Sequence, residues 1–186
     1  MLGADDVLDP RPRRVLVAGT AGVGKTTTAR RIGRTLGIPH TEIDSIHHGP
    51  DWTPRATFVP EVEAFTGQPT WVTEWQYTAT RPMLAHRADT LVWIDLPVHV
   101  AISRLVRRTL RRRIHRTELW NGNVEPPLRT FFTDRGHIVR WGLRTQHETR
   151  RRVAIVERSV PHLRIVHLRS QAEVDRFVQH LGDRRR

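Results

Sequence analysis

Gly19-Thr20-Ala21-Gly22-Val23-Gly24-Lys25-Thr26 decides the reading of this chain. The stretch fits GxxxxGK[ST], and its surroundings fit as well. Ahead of it, Arg14-Val15-Leu16-Val17-Ala18 reads as a buried parallel strand. Behind it, Thr26 to Leu36 carries Ala29, Ile32 and Leu36 at helical spacing until Gly37 and Pro39 stop it. Small residues let such a loop curl until its N–H groups face phosphate oxygens, and the helix start adds positive dipole. Lys25 is then expected to neutralise the outer phosphates and the Thr26 hydroxyl to ligate Mg²⁺. The expected nucleotide-holding residues are Gly19, Thr20, Ala21, Gly22, Val23, Gly24, Lys25, Thr26 and Thr27. At this composition the four fixed positions coincide somewhere in the chain by chance with a probability of roughly 5 × 10⁻⁴.

Lys25 is the one lysine among 31 basic residues, so the Asn-Lys-x-Asp stretch that reads guanine is absent and ATP is the expected nucleotide. Hydrolysing motors and switches carry an acidic residue that polarises water after a second apolar strand. Here Asp95 ends such a strand but is followed by Leu96 and Pro97, and Glu74 is followed by Trp75. Transfer of the γ-phosphate to a bound acceptor is therefore the expected reaction, rather than hydrolysis.

Working outward, Thr41-Glu42-Ile43-Asp44, Trp71-Val72-Thr73-Glu74, Thr90 to Asp95 and Leu163 to Leu168 read as further strands. Helices are expected over 55–66, with Pro60 awkwardly inside, from Pro97 to about His115, over 136–157, and after Ser170, where Glu173 completes a capping box. Strands alternating with helices predict an α/β fold with a doubly wound, mostly parallel sheet. The length of 186 residues suits one domain, expected over 13–181, with a disordered tail at 1–12 and a basic tail at 182–186. With no cysteine there is no disulfide scaffold or thiolate site. No signal-like or membrane-spanning stretch is present, so a soluble, cytoplasmic protein without membrane contact is expected.

The net charge of +12 is unevenly spread: residues 1–100 hold 10 basic and 11 acidic side chains, and the rest hold 21 and 8. A cationic half calls for anionic partners. Arg104, Arg107, Arg108, Arg111, Arg112, Arg113 and Arg116 crowd one helix. They are expected to act as a lid over phosphates, with Arg108 and Arg112 as catalytic cations. A nucleic-acid patch is the less favoured reading, because no helix-turn-helix, RRM or OB signature accompanies the cluster.

GTAGVGKTT, the Asp51-Trp52 turn, WVTEWQY (71–77), LVWIDLP (91–97), ELWNGN (118–123) and HLRSQAEVDRF (167–177) together resemble adenylate-kinase-like P-loop kinases. They are most similar to the DNA topology modulation protein-like group of small AAA family ATPases. The resemblance runs from about Arg13 to Val178. It implies a three-layer P-loop NTPase fold with a five-stranded parallel sheet in the order 2-3-1-4-5 and a helical lid at about 108–135. It also implies an adenine contact from Arg169 and Ser170. Relatives commonly carry Asp-Gly-Asn-Tyr where this chain has Glu74-Trp75-Gln76-Tyr77, so acceptor identity does not carry over.

Asp44 is expected to orient the acceptor hydroxyl or act as base, and Glu74 to touch the acceptor or a Mg²⁺-bound water. Trp52, Trp75 and Tyr77 are candidates to stack on a ring, His47 and His48 read as loop histidines, and Asp95 as structural. The expected activity is that of an ATP- and Mg²⁺-dependent kinase, a monomer or weak dimer, acting on a small acceptor such as a nucleotide or nucleotide-like molecule. The alternative is an ATP-binding regulator acting through nucleic acid or a protein partner.

Overall fold

The computed structural model describes residues 1–115, 118–123 and 135–183. β1 (Arg14–Gly19) runs into the glycine loop, and α1 (Lys25–Leu36) leaves it. A short helix α2 (Ile43–His47) and a 3-10 turn (Pro50–Trp52) follow, then α3 (Phe58–Thr66), β2 (Trp71–Glu74), α4 (Arg81–Arg87) and β3 (Thr90–Ile94). Then come α5 (Val98–Ile114), a second 3-10 turn (Trp120–Gly122), α6 (Arg135–Ser159), β4 (Arg164–Leu168) and α7 (Gln171–Asp183). Pro60 falls in the first turn of α3, where its missing N–H would have no intrahelical partner.

The sheet is parallel throughout, in the order β2-β1-β3-β4, with Val15 beside Val72, Leu16 beside Leu91 and Val92 beside Val166. Both faces are covered, which is why β2 and β3 are buried at every position. Val15, Val17, Val92 and Val166 meet α1 and α7 through Ile32, Val174 and Phe177 on one face. Leu16, Leu91, Trp93 and Ile165 meet Ile43, Phe58, Leu84 and Val153 on the other. Trp71 and Trp93 are core residues, 1% and 5% exposed. The three layers of the sequence reading are present.

The expected five-stranded sheet is corrected to four strands among the described residues. Residues 41–44 do not form a strand. A single bridge joins His40 to Val72, with Thr41 N–H donating to the Val72 carbonyl at 3.0 Å and Val72 N–H to the Pro39 carbonyl at 2.8 Å. The chain then turns helical because the Glu74 carboxylate takes the Ile43 N–H at 3.0 Å, while the Ile43 side chain is fully buried. The remaining four strands keep the expected relative order.

The expected tail at 1–12 is also corrected. Leu2 extends the sheet beside β4, donating to the Ile165 carbonyl at 2.7 Å and accepting from His167 N–H at 2.8 Å, and Ala4 and Leu8 are buried in the core. Deleting residues 1–8 is expected to lower unfolding free energy by about 2 kcal/mol or more, read from a denaturant midpoint; an unchanged midpoint would mean that the segment contributes nothing. At the other end α7 continues through Asp183, past the expected boundary at 181. Residues 184–186 and, of the expected lid, 116–117 and 124–134 lie outside the described residues.

Candidate functional site

The loop at 19–26 is shaped by glycines in backbone conformations that other residues rarely adopt. Gly22 has φ +86, and a Cβ there would lie 2.1 Å from the Ala101 carbonyl oxygen of α5. Gly24, at φ +94, caps α1 with open space above it, so the first N–H groups of the helix face a cavity. No acidic side chain sits in the first turn of α1 to compete for its dipole. Lys25 reaches back across the loop and donates to the Thr20 carbonyl at 3.1 Å. Burial drives its pKa down to about 8; Asp44 and Glu74 work against that shift, and Arg108 and Arg81 add to it.

The loop opens into a cleft of about 380 Å³, at the low end for small-molecule sites. Its walls combine Ala21, Gly22, Gly24, Lys25, Thr26 and Thr27 with Asp44 of α2 and with Arg108 and Arg112 of α5. Residues far apart in sequence, singled out for one purpose, therefore meet in one cavity. Gly19, Thr20 and Val23 shape the loop from behind, with Val23 buried in the core.

Asp44 is held from two sides on one oxygen. The Tyr77 hydroxyl donates to its Oδ1 at 2.6 Å and the Gln76 amide at 2.8 Å. Burial pushes the Tyr77 phenol up, and its bond to Asp44 pushes further, so it stays a donor throughout the working pH range. Tyr77 also lies 3.1 Å from Nε2 of His48 and stacks on the His47 ring at 3.7 Å. Burial pushes the His47 imidazole pKa down.

Glu74 does not line the cleft. It is 1% exposed, bonded to Ile43 N–H and to Nε2 of His40 at 3.2 Å, so it hangs α2, and with it Asp44, from the end of β2. Burial opposes its charge, but the bonds from His40 and Ile43 win, and its pKa lies below the ordinary carboxylate value. The charged carboxylate therefore stabilises the fold above about pH 4.5, and that contribution is lost as pH falls through its depressed pKa. Glu74→Gln is expected to cost about 1–3 kcal/mol at neutral pH and to flatten the acid limb of the stability curve; a pH-stability series on both proteins checks it.

Trp75 is 8% exposed and bonded through its indole N–H to the Arg81 carbonyl at 3.1 Å, away from the cleft. Arg169 lines a separate depression with Met1, Leu2, His167 and Glu173, and its N–H is taken by Glu173 at 2.6 Å. The structure does not bring either into the cleft with Lys25 and Asp44. Arg104 turns to Gln171 at 2.9 Å. Arg113 and Arg116 lie outside the described side chains. Asp95 is structural, joining β3 to α6 and β4 through Gln146 (3.0 Å), Arg150 (3.2 Å) and His167 (3.2 Å).

The cleft also holds residues that the sequence did not single out as site residues: Arg30, Glu42, Gln76, Leu119 and Trp120. Trp52 and Trp120 meet edge to face at 6.3 Å, and His48 lies over Trp120 at 6.0 Å. Asn123 staples the two turns that carry these rings. It accepts from Trp52 N–H at 3.0 Å and donates to the carbonyls of Gly49 and Trp120 at 2.8 and 2.9 Å. Trp52 and Asn121 hold left-handed φ of 58° and 56°, strain of the kind found at ligand clamps. The Asn121-Gly122 pair was the sequence signal for the second turn; nothing local tied it to the first.

No protein-family model matches this chain, and no curated protein matches it. Solved structures do. Shikimate kinase from Acinetobacter baumannii in complex with shikimate aligns with a TM-score of 0.54 at 16% identity, covering 91% of this chain and 90% of that one. A putative kinase from Chloroflexus aurantiacus aligns at 0.50 and 14% identity, covering 93% and 98%. A gluconokinase from Sinorhizobium meliloti 1021 aligns at 0.49 and 17%, covering 94% and 98%. At these identities the likeness is one of fold, and it does not show membership of the DNA topology modulation group. The chain has the parallel α/β fold of small P-loop kinases.

Proposed function

We propose that this chain transfers the γ-phosphate of ATP to a hydroxyl of a small molecule. The observation that carries this reading is the single cleft in which Lys25 and the start of α1 face Asp44, with Arg108 and Arg112 on α5 forming another wall. Phosphoryl transfer needs little covalent help from protein; it needs positioning and charge neutralisation. Lys25 and the N–H groups of the loop take the phosphate oxygens, and the two arginines offset charge that spreads onto the transferring group. Asp44, fixed by Tyr77 and Gln76, orients the acceptor hydroxyl and receives its proton.

Among the described residues no group of three carboxylates or imidazoles is arranged as a metal cage. That suits Mg²⁺, which keeps waters and phosphate ligands and takes few groups from protein. Thr26 is the cleft residue that would hold it, and when bound it would supply neutralisation of the phosphate charge. The acceptor classes to weigh are nucleotides, expected from the sequence, and the polyol and ring acids named for the neighbouring folds. The site of action is proposed to be the cytoplasm, where ATP is at hand; among the described residues no helix is long and apolar enough to cross a membrane.

Coupled ADP release with Mg-ATP, alone and with nucleoside monophosphates, nucleosides, sugars and small alcohols, tests the reading. Strong stimulation by one compound, absent in Lys25→Ala, is the expected result. A slow rate that no acceptor stimulates, raised instead by duplex DNA with steep salt dependence, would replace it with the regulator reading.

A further inference from the structure

The cleft carries charge of both signs. Lys25 lies at the loop end, and Arg108 and Arg112 of α5 share the cleft with it. Glu42 and Asp44 form its acidic side, Glu42 bonded to Trp120, with Glu74 buried behind α2. The cation on that side, Arg30, sits 3.6 Å from the Glu42 carboxylate and is matched by it. Burial pushes the Glu42 carboxyl up, and repulsion from Glu74 and Asp44 adds to this, although Arg30 and a bond from Trp120 oppose it. A second anion placed here would meet two carboxylates already crowded against a third. A neutral group would be tolerated, and a cation would relieve the repulsion.

The shape agrees with the charge. Trp52 and Trp120 form an aromatic corner beside the carboxylates, and Asn123 fixes it through both turns. Aromatic faces beside carboxylate and amide groups suit a compact ring or chain that presents C–H surface to the indoles and hydroxyls to Glu42, Asp44 and Gln76. Amine-bearing acceptors gain further from cation–π contact.

We propose that the acceptor is a polyhydroxyl compound without an acid group, neutral or amine-bearing, seated against Trp52 and Trp120 with its hydroxyls on Glu42 and Asp44. This rests on the phosphotransferase reading and narrows it: nucleoside monophosphates, sugar acids and sugar phosphates are excluded as preferred acceptors. In the transfer step an acceptor oxygen forms a bond to the γ-phosphorus of ATP as the bond to the ADP oxygen breaks. The hydroxyl proton passes to Asp44, and ADP leaves with the bonding pair.

Two measurements on the full chain test it. Transfer from Mg-ATP is compared within matched sets: glucose, glucosamine, gluconate and glucose 6-phosphate; adenosine and AMP. Within any set that is used, kcat/KM is expected to be at least about tenfold higher for the member lacking an acid group. Preference for an acid or phosphate member overturns the acceptor class and leaves the kinase reading standing.

Alongside, tryptophan quenching by caesium and by iodide is read with a non-hydrolysable ATP analogue and Mg²⁺ bound. The shares of Trp52 and Trp120 come from Trp52→Phe and Trp120→Phe. Caesium is expected to quench these two several-fold better, and Glu42→Gln to narrow the contrast. Equal or stronger quenching by iodide overturns the proposal even where no compound of the panel is phosphorylated. Failure of the analogue to bind removes the phosphotransferase reading itself, and the acceptor class with it.

Discussion

Lys25→Ala is expected to lower phosphoryl transfer by about 10³-fold or more while the protein stays folded. In the proposed reaction its ammonium is the cation that meets the phosphates, and the sequence contains no other lysine to take over. A substitution near wild-type rate would mean that Lys25 stands outside the reaction. The same residue leaves a signature in pH. Its amine titrates near 8 in the folded protein, against an ordinary 10.5. Between those values the unfolded chain holds a proton that the folded one has released, so stability rises with pH across that window. Below about 8 both states are protonated and the burial cost is fully present; Lys25→Met is therefore expected to be more stable than wild type at pH 7 and to lose the rise. Phosphates restore the charge, so ATP binding is expected to take up about half a proton at pH 8, measurable as a buffer-dependent binding heat. The variants show no such uptake.

Asp44→Asn is expected to reduce kcat by about 10² to 10⁴-fold with ATP affinity little changed. The amide oxygen still accepts from Tyr77, so the side chain keeps its place and loses its basicity. Tyr77→Phe keeps the carboxylate but frees its Oδ1 from the shorter of its two bonds, and a loss of about tenfold is expected. Single-turnover transfer, measured beside nucleotide binding, separates the two effects. An Asp44→Asn enzyme at full rate would leave Asp44 a merely structural acid.

The loop side of this cleft was legible because its determinants are local. Strand, glycine loop, lysine and helix follow one another without a break, and each glycine answers a steric demand within the loop or against α5. Asp44, expected from its place at the end of an apolar run, and Arg108 and Arg112, expected from an arginine-crowded helix, line the same cleft. The side formed by α2 and the two turns was not legible, because long-range bonds decide it. Thr41 to Asp44 has the composition of a strand, and only a carboxylate about thirty residues later, Glu74, turns it helical. Glu74 itself reads as a site acid from its place at a strand end, yet its bonds point inward to His40 and Ile43. The corner of Trp52 and Trp120 needs Asn123 to join two turns 71 residues apart. Residues 1–12 read as a disordered tail because the surface that Leu2 and Leu8 cover belongs to β4 and α7.

Where a fifth strand would have tied Asp44 to the sheet by its backbone, this chain suspends it on five helical residues from the side chains of Glu74, Gln76 and Tyr77. A backbone ladder survives almost any change of side chain, whereas a suspension of this kind is rewritten by single substitutions. Substitutions at positions 42, 48, 52, 76 and 120 reshape the wall of the cleft without touching the strand register or the loop at 19–26. The frame of the molecule and the lining of its cleft are encoded in different kinds of bond.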